Sequence, residues 1–149
     1  MHYFENVYQY KTAGKVFSKL IPNSSEGDPG YWYSDIHSLE KEGRSYYLAI
    51  RHAIYSTKDA YQGRKIFSIV NNSLDDTAKL IKTKTGIRNI LGFGFDFFSV
   101  ADRKERPVKL IDYNSTEKTI TIPVVLANGK VTNKLIVYQF TGKYFERKM

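Results

Sequence analysis

Asp35 and His37 stand two residues apart in the segment 31–39, YWYSDIHSL. That spacing puts both side chains on one face of an extended strand. A carboxylate placed there can orient an imidazole and hold its proton, as a general acid–base or hydrolytic centre requires. Ser34 is the nearest hydroxyl, but an uninterrupted strand turns it to the opposite face, which spoils a simple nucleophile–base pair. Three histidines (His2, His37, His52), helped by Asp96 or Asp112, supply metal-ligating residue types. None shows the spacing of a ligand set, so neither metal nor cofactor is expected. The phosphate-binding glycine loop, the GxSxG elbow, HExxH, the EF-hand loop and the dinucleotide fingerprint are all missing. Gly92-Phe93-Gly94 begins like a glycine motif but lacks the third glycine and the helix that should follow.

A second candidate lies beside the first. Residues 27–33, GDPGYWY, present Tyr31, Trp32 and Tyr33, flat apolar rings with polar edges suited to stacking on sugar rings or bases. Asp28 and Asp35 offer acceptors for sugar hydroxyls. The ligand-binding set read from the sequence is therefore Tyr31, Trp32, Tyr33, Asp35 and His37, and the partner a glycan or an envelope protein. The competing reading makes Trp32 a core aromatic whose tyrosines cover sheet edges. A hydrolase using Asp35 and His37 is one alternative. A nucleic-acid or polyanion binder is another, since the formal charge is +8. Nucleic acid is disfavoured because the basic residues are dispersed. Lys79, Lys82, Lys84 and Arg88 flank one expected hairpin, and Arg103, Lys104 and Arg106 share a loop with Asp102 and Glu105, which offset them.

The elements that must position these residues read as strands. Asn128-Gly129 predicts a type I′ hairpin that places Leu126 opposite Val131, Val124 opposite Asn133, Ile122 opposite Leu135 and Ile120 opposite Val137. Gly14 turns the chain between strands at 2–12 and 15–21, and 22–30 (PNSSEGDPG) is the clearest loop. Residues 31–39 alternate Trp32, Ser34 and Ile36 against Tyr31, Tyr33, Asp35 and His37. A charged turn at 40–43 leads to 45–55, SYYLAIRHAIY, where two Tyr and two Ile favour a strand over the rival helix. Residues 56–63 form a polar connection with room for one helical turn, and 65–70 is a strand ended by Asn71-Asn72-Ser73. Strands follow at 78–85, 87–98 and 108–113. Gly92 and Gly94 between apolar neighbours point to a bulge or a close backbone approach. The sum is an all-β antiparallel meander of about ten short strands with little helix, closed as a barrel or arranged as a sandwich or propeller-like.

Size and composition agree. A chain of 149 residues is most simply one domain, and 42% hydrophobic with 26% charged residues is ordinary for a globular protein. Aromatics at 15% suit pleated, half-buried surfaces. Without Cys there is no disulfide and no thiolate chemistry. No run approaches the ~18 apolar residues of a membrane span, and no signal peptide opens the chain. Oligomeric state is not set by the sequence.

The phrases YWYSDIHSL, SYYLAIRHAIYST, FDFFSVADRKERPVKL and TITIPVV followed by GKVTNKLIVYQFTGKYF together resemble a family of uncharacterised exported proteins of Bacteroidetes. The resemblance covers most of the chain. It implies an exported β-rich domain in a periplasmic, cell-surface or secreted setting, and a chain that is the C-terminal part of a longer protein. That family brings no activity, so no site residue is carried over from it.

Overall fold

A computed structural model describes residues 3–22 and 28–149; His2 and Gly27 lie outside the described residues. Alternating and β-branched sequence gives thirteen strands there, most of them antiparallel, and one 3-10 turn at Phe97–Val100. The sheets do not close into a barrel.

β1 (Asn6–Thr12) and β2 (Lys15–Ile21) form a separate two-stranded ribbon. β3 (Trp32–Lys41), β4 (Arg44–Ile54) and β5 (Asp59–Val70) make an antiparallel meander. The far edge of β5 pairs with β6 (Ser73–Asp75) near its end and with β9 (Ile90–Asp96) along its start. The expected helical turn within 56–63 is absent, because β5 already begins at Asp59. The other sheet runs β10 (Asp112–Asn114), β11 (Thr119–Val125), β12 (Val131–Phe140), β13 (Phe145–Arg147), β7 (Ile81–Thr83), β8 (Gly86–Arg88). Its β13–β7 pair is parallel.

Three two-residue turns set the registers. Ala13-Gly14, Glu42-Gly43 and Asn71-Asn72 have φ of 52° and 74°, 51° and 74°, and 51° and 62°. Two successive positive φ values are the type I′ signature, whose twist matches the strands it joins. The hairpin expected at Asn128-Gly129 is built differently. Only Gly129 has positive φ, at 87°, and its N–H donates to Leu126 O at 2.8 Å. A tight turn followed by one left-handed residue, with a register shift between Pro123 and Val125, replaces the type I′ loop. Ile120 therefore faces Tyr138 and Ile122 faces Ile136. Ile136, Tyr138 and Phe140 turn to the core, while Leu135, which the type I′ register sets opposite Ile122, is 63% exposed. A slip of one residue exchanges the two faces of a strand.

The two large sheets stack on a common core. Leu39, Leu48 and Ile66 from one meet Leu80, Ile81, Ile111, Ile120 and Phe145 from the other. A smaller cluster of Phe95, Val100, Val108, Leu110 and Val131 closes one end.

Candidate functional site

The five-stranded sheet has a side turned to the other sheet and a side turned away, and a bulge in β3 decides which residues go where. Tyr33 pairs with Arg51 and Asp35 with Ile50, so Ser34 is the extra residue. A bulge breaks the period of two. Tyr33 thus shares the outer side with Arg51, while Asp35 and His37 share the inner side with Ile50 and Leu48. The expected common face for Tyr33, Asp35 and His37 is therefore corrected.

On the outer side β1 lies across the sheet. Asn6 Nδ2 donates to Tyr31 O at 2.6 Å, the Tyr8 and Tyr33 hydroxyls meet at 2.9 Å, and Thr12 Oγ1 donates to Asn72 Oδ1 at 2.8 Å. Between β1 and the sheet runs a groove of about 780 Å³, walled by Trp32, Tyr33, Ile36, Tyr47, Phe67 and Leu74 among others. That volume is in the range of specific ligand sites. Tyr8 stands edge-on to Phe67 with centroids 5.2 Å apart. Burial, reinforced by the Tyr33 hydrogen bond, pushes the Tyr8 phenol well above its usual range, so it stays neutral and can donate.

Beside the groove Arg51 is caged by tyrosines. Its guanidinium carbon lies 3.9 Å from the Tyr31 ring centroid and 5.6 Å from that of Tyr61, and its charge acts on the Tyr33 and Tyr61 phenols. Burial raises both phenols, and the adjacent cation pulls them part of the way back.

The inner side carries a polar cleft of about 300 Å³ lined by Ser34, Asp35, Ile50, His52 and the segment Pro107 to Lys109. Gln62 holds that segment in place: its Nε2 donates to Val108 O at 2.5 Å and its Oε1 accepts from Leu110 N at 3.1 Å. The bulge brings Ser34 Oγ to 2.7 Å from His52 Nε2, and the indole of Trp32 stacks on the imidazole at 4.0 Å. This Ser–His contact was not legible in the sequence, since only the bulge creates it. It has the spacing of a nucleophile and its base. Burial lowers the imidazole to about 4, however, and no carboxylate is hydrogen-bonded to His52 among the described residues. An imidazolium formed there would lack the partner that stabilises it in hydrolytic triads. Asp35 Oδ2 lies 3.1 Å from His37 Nε2, as the spacing predicts, and the His37 ring leans on Tyr113 with centroids 5.2 Å apart. Asp35 lines the cleft and His37 flanks it.

Behind the cleft is a second residue the sequence did not single out. Arg64 is 0% exposed, and its Nε and Nη2 find no hydrogen-bond partner among the described residues. Burial lowers its pKa to about 10, while Asp35, Asp112 and Tyr113 act in the opposite direction. Alternation alone would have given Arg64 a place among inward-facing residues, yet a lone Arg on such a face reads as a strand-edge charge.

Compared with known proteins, the chain matches no family model, no curated protein and no solved structure.

The five residues of the predicted binding set thus spread over two surfaces. Trp32 and Tyr33 wall the outer groove, Tyr31 caps Arg51 beside it, and Asp35 and His37 belong to the inner side. No cluster of three metal-ligating side chains exists among the described residues. No helix is long and apolar enough to cross a membrane. Lys58, Lys65, Lys82, Arg103 and Lys109 are spent in ion pairs with carboxylates on or near their own strands and loops.

Proposed function

We propose that the chain is a non-catalytic binding module of the cell envelope that captures an extended, apolar segment of a partner protein along β3. The supporting observation is a free strand edge that borders the groove. β3 ends the order of its sheet, so its outer edge pairs with no strand among the described residues. The two-residue turn after Lys41 makes Lys41 and Arg44 a hydrogen-bonded pair. Main-chain groups of Leu39, His37 and Asp35 then point to β4, and those of Ile36, Ser38 and Glu40 point outward. Ile36 is on the groove side and 65% exposed. A segment added there would direct alternate side chains into the groove, which is how strand addition combines main-chain affinity with side-chain specificity. The walls favour such a ligand over a glycan, because a sugar would compete with Arg51 for Tyr31 and with His52 for Trp32. The envelope setting rests on the sequence resemblance.

Trp32 is the sole tryptophan and walls the groove, so its emission is a direct reporter. Titration with short extended peptides alternating Val or Ile with Thr is expected to shift that emission saturably. Ile36→Arg, at an exposed position, is expected to weaken binding at least ~10-fold. If no peptide moves the signal, or if Ile36→Arg binds as well as the parent, the proposal fails. A shift produced by oligosaccharides alone would replace the protein partner with a glycan.

A further inference from the structure

The β1–β2 ribbon carries a second open edge, on β2. Six of the seven residues of KVFSKLI are exposed, Val16 and Leu20 at 63% and 61%. A two-stranded ribbon is marginal by itself. Thr12 and Lys15 close the two-residue turn and form its first hydrogen-bonded pair. The main chain of Lys15, Phe17, Lys19 and Ile21 therefore points to β1, and that of Val16, Ser18 and Leu20 points away. No strand pairs with that outer side among the described residues.

We propose that this edge pairs antiparallel with the same edge of a second copy, about a two-fold axis at Ser18. Ser18 then faces the partner's Ser18, Val16 faces the partner's Leu20, and Phe17 faces the partner's Lys19. Every outward-pointing residue falls in a hydrogen-bonded pair, as an antiparallel ladder demands. Registers displaced by one residue set outward groups against inward ones and make no ladder. Those displaced by two bring Lys15 opposite the partner's Lys19, or Lys19 opposite itself, and like charges directly opposed destabilise a sheet. The Ser18-centred register avoids both faults. It also sets an aliphatic pair on one face and an aromatic–cation pair on the other. The contact is smaller than the ~1,200 Å² of stable interfaces, so the dimer is weak and concentration-dependent. Each copy carries +8, so added salt strengthens it.

Sedimentation analysis of the full chain from tens of micromolar to millimolar, at low and high salt, tests the inference together with amide exchange. The expected result is a monomer–dimer equilibrium that shifts to dimer with concentration and salt. Amides of Val16, Ser18 and Leu20 become protected only in the dimer, whereas those of Phe17 and Lys19 are protected throughout. Ser18→Pro removes an N–H that β1 does not use and should abolish the dimer while Phe17 and Lys19 stay protected. Leu20→Lys, which leaves the backbone untouched, should do the same. A monomer under all conditions, or a dimer that survives both substitutions, overturns the proposal.

Discussion

His52 sits under the Trp32 indole with Ser34 at hydrogen-bond distance from Nε2, and only 5% of it is exposed. Its proton affinity is set by burial, which lowers the imidazole to about 4 from an ordinary value near 6.5. Above pH 6.5 the folded and unfolded chains both hold it neutral, and it contributes no pH dependence. As pH falls from 6.5 toward 4, the unfolded chain binds a proton that the folded chain refuses, and stability declines. The loss from this one group is on the order of 2–3 kcal/mol across the window and levels off below pH 4. Urea midpoints measured between pH 7 and pH 4 should therefore fall less steeply in His52→Gln than in the parent. Equal slopes would show that the ring is protonated in the fold, and the argument against His52 as a stranded, neutral base would go with it.

At the scale of elements, the contact between β5 and β9 shows what their glycines do. Gly63 and Gly92 face each other across the ladder, and the Tyr61 side chain lies over both. A Cβ on Gly92 would meet the Tyr61 hydroxyl and, at 2.8 Å, Gln62 O; one on Gly94 would find only Ala60 O at 3.7 Å. Gly92→Ala should cost ~2–3 kcal/mol by overpacking and Gly94→Ala under ~1 kcal/mol, as read from denaturant midpoints. Equal costs would mean that loss of chain flexibility, rather than the Tyr61 seat, sets the price of a side chain there. The close approach was legible because glycine between apolar neighbours in a strand has few other uses. The turns at Gly14, at Gly43 and at Asn71-Asn72 were legible for a similar local reason. Ser34 was not, because a bulge leaves no composition mark when the extra residue is a serine, and one unrecorded residue reassigned Tyr33, Asp35 and His37 to different surfaces. The 128–129 hairpin differs for a related reason: its loop is one residue longer than a type I′ turn, and a register shift between Pro123 and Val125, equally unmarked in composition, moves the rest of the ladder.

Across the whole molecule, the piece least visible in sequence holds the most together. β13 spans three residues, too few for a periodic signal, and its parallel partner β7 lies far earlier in sequence, with Phe145 paired to Ile81. Local alternation therefore gives no sign of a strand at Phe145–Arg147. In the fold β13 is, among the described residues, the sole strand joining the β10–β11–β12 meander to the β7–β8 hairpin within their sheet. Phe145 is 0% exposed at the shared core, and its N–H donates to Leu80 O at 2.7 Å. Phe145→Ala should lower stability by ~3–5 kcal/mol through the cavity it leaves, with Trp32 emission and far-ultraviolet dichroism still reporting one transition. Deleting residues 144–149 removes the strand as well as the ring. The core facing Leu48 and Ile66 then loses its centre, while β3, β4 and β5 keep the long ladders that hold Trp32. The two probes should separate, dichroism falling at lower urea than the Trp32 signal, because the six-stranded sheet comes apart before the five-stranded one. A deletion variant that still unfolds in one coincident step at the parent's midpoint would show that the two halves of that sheet are held together by something other than β13.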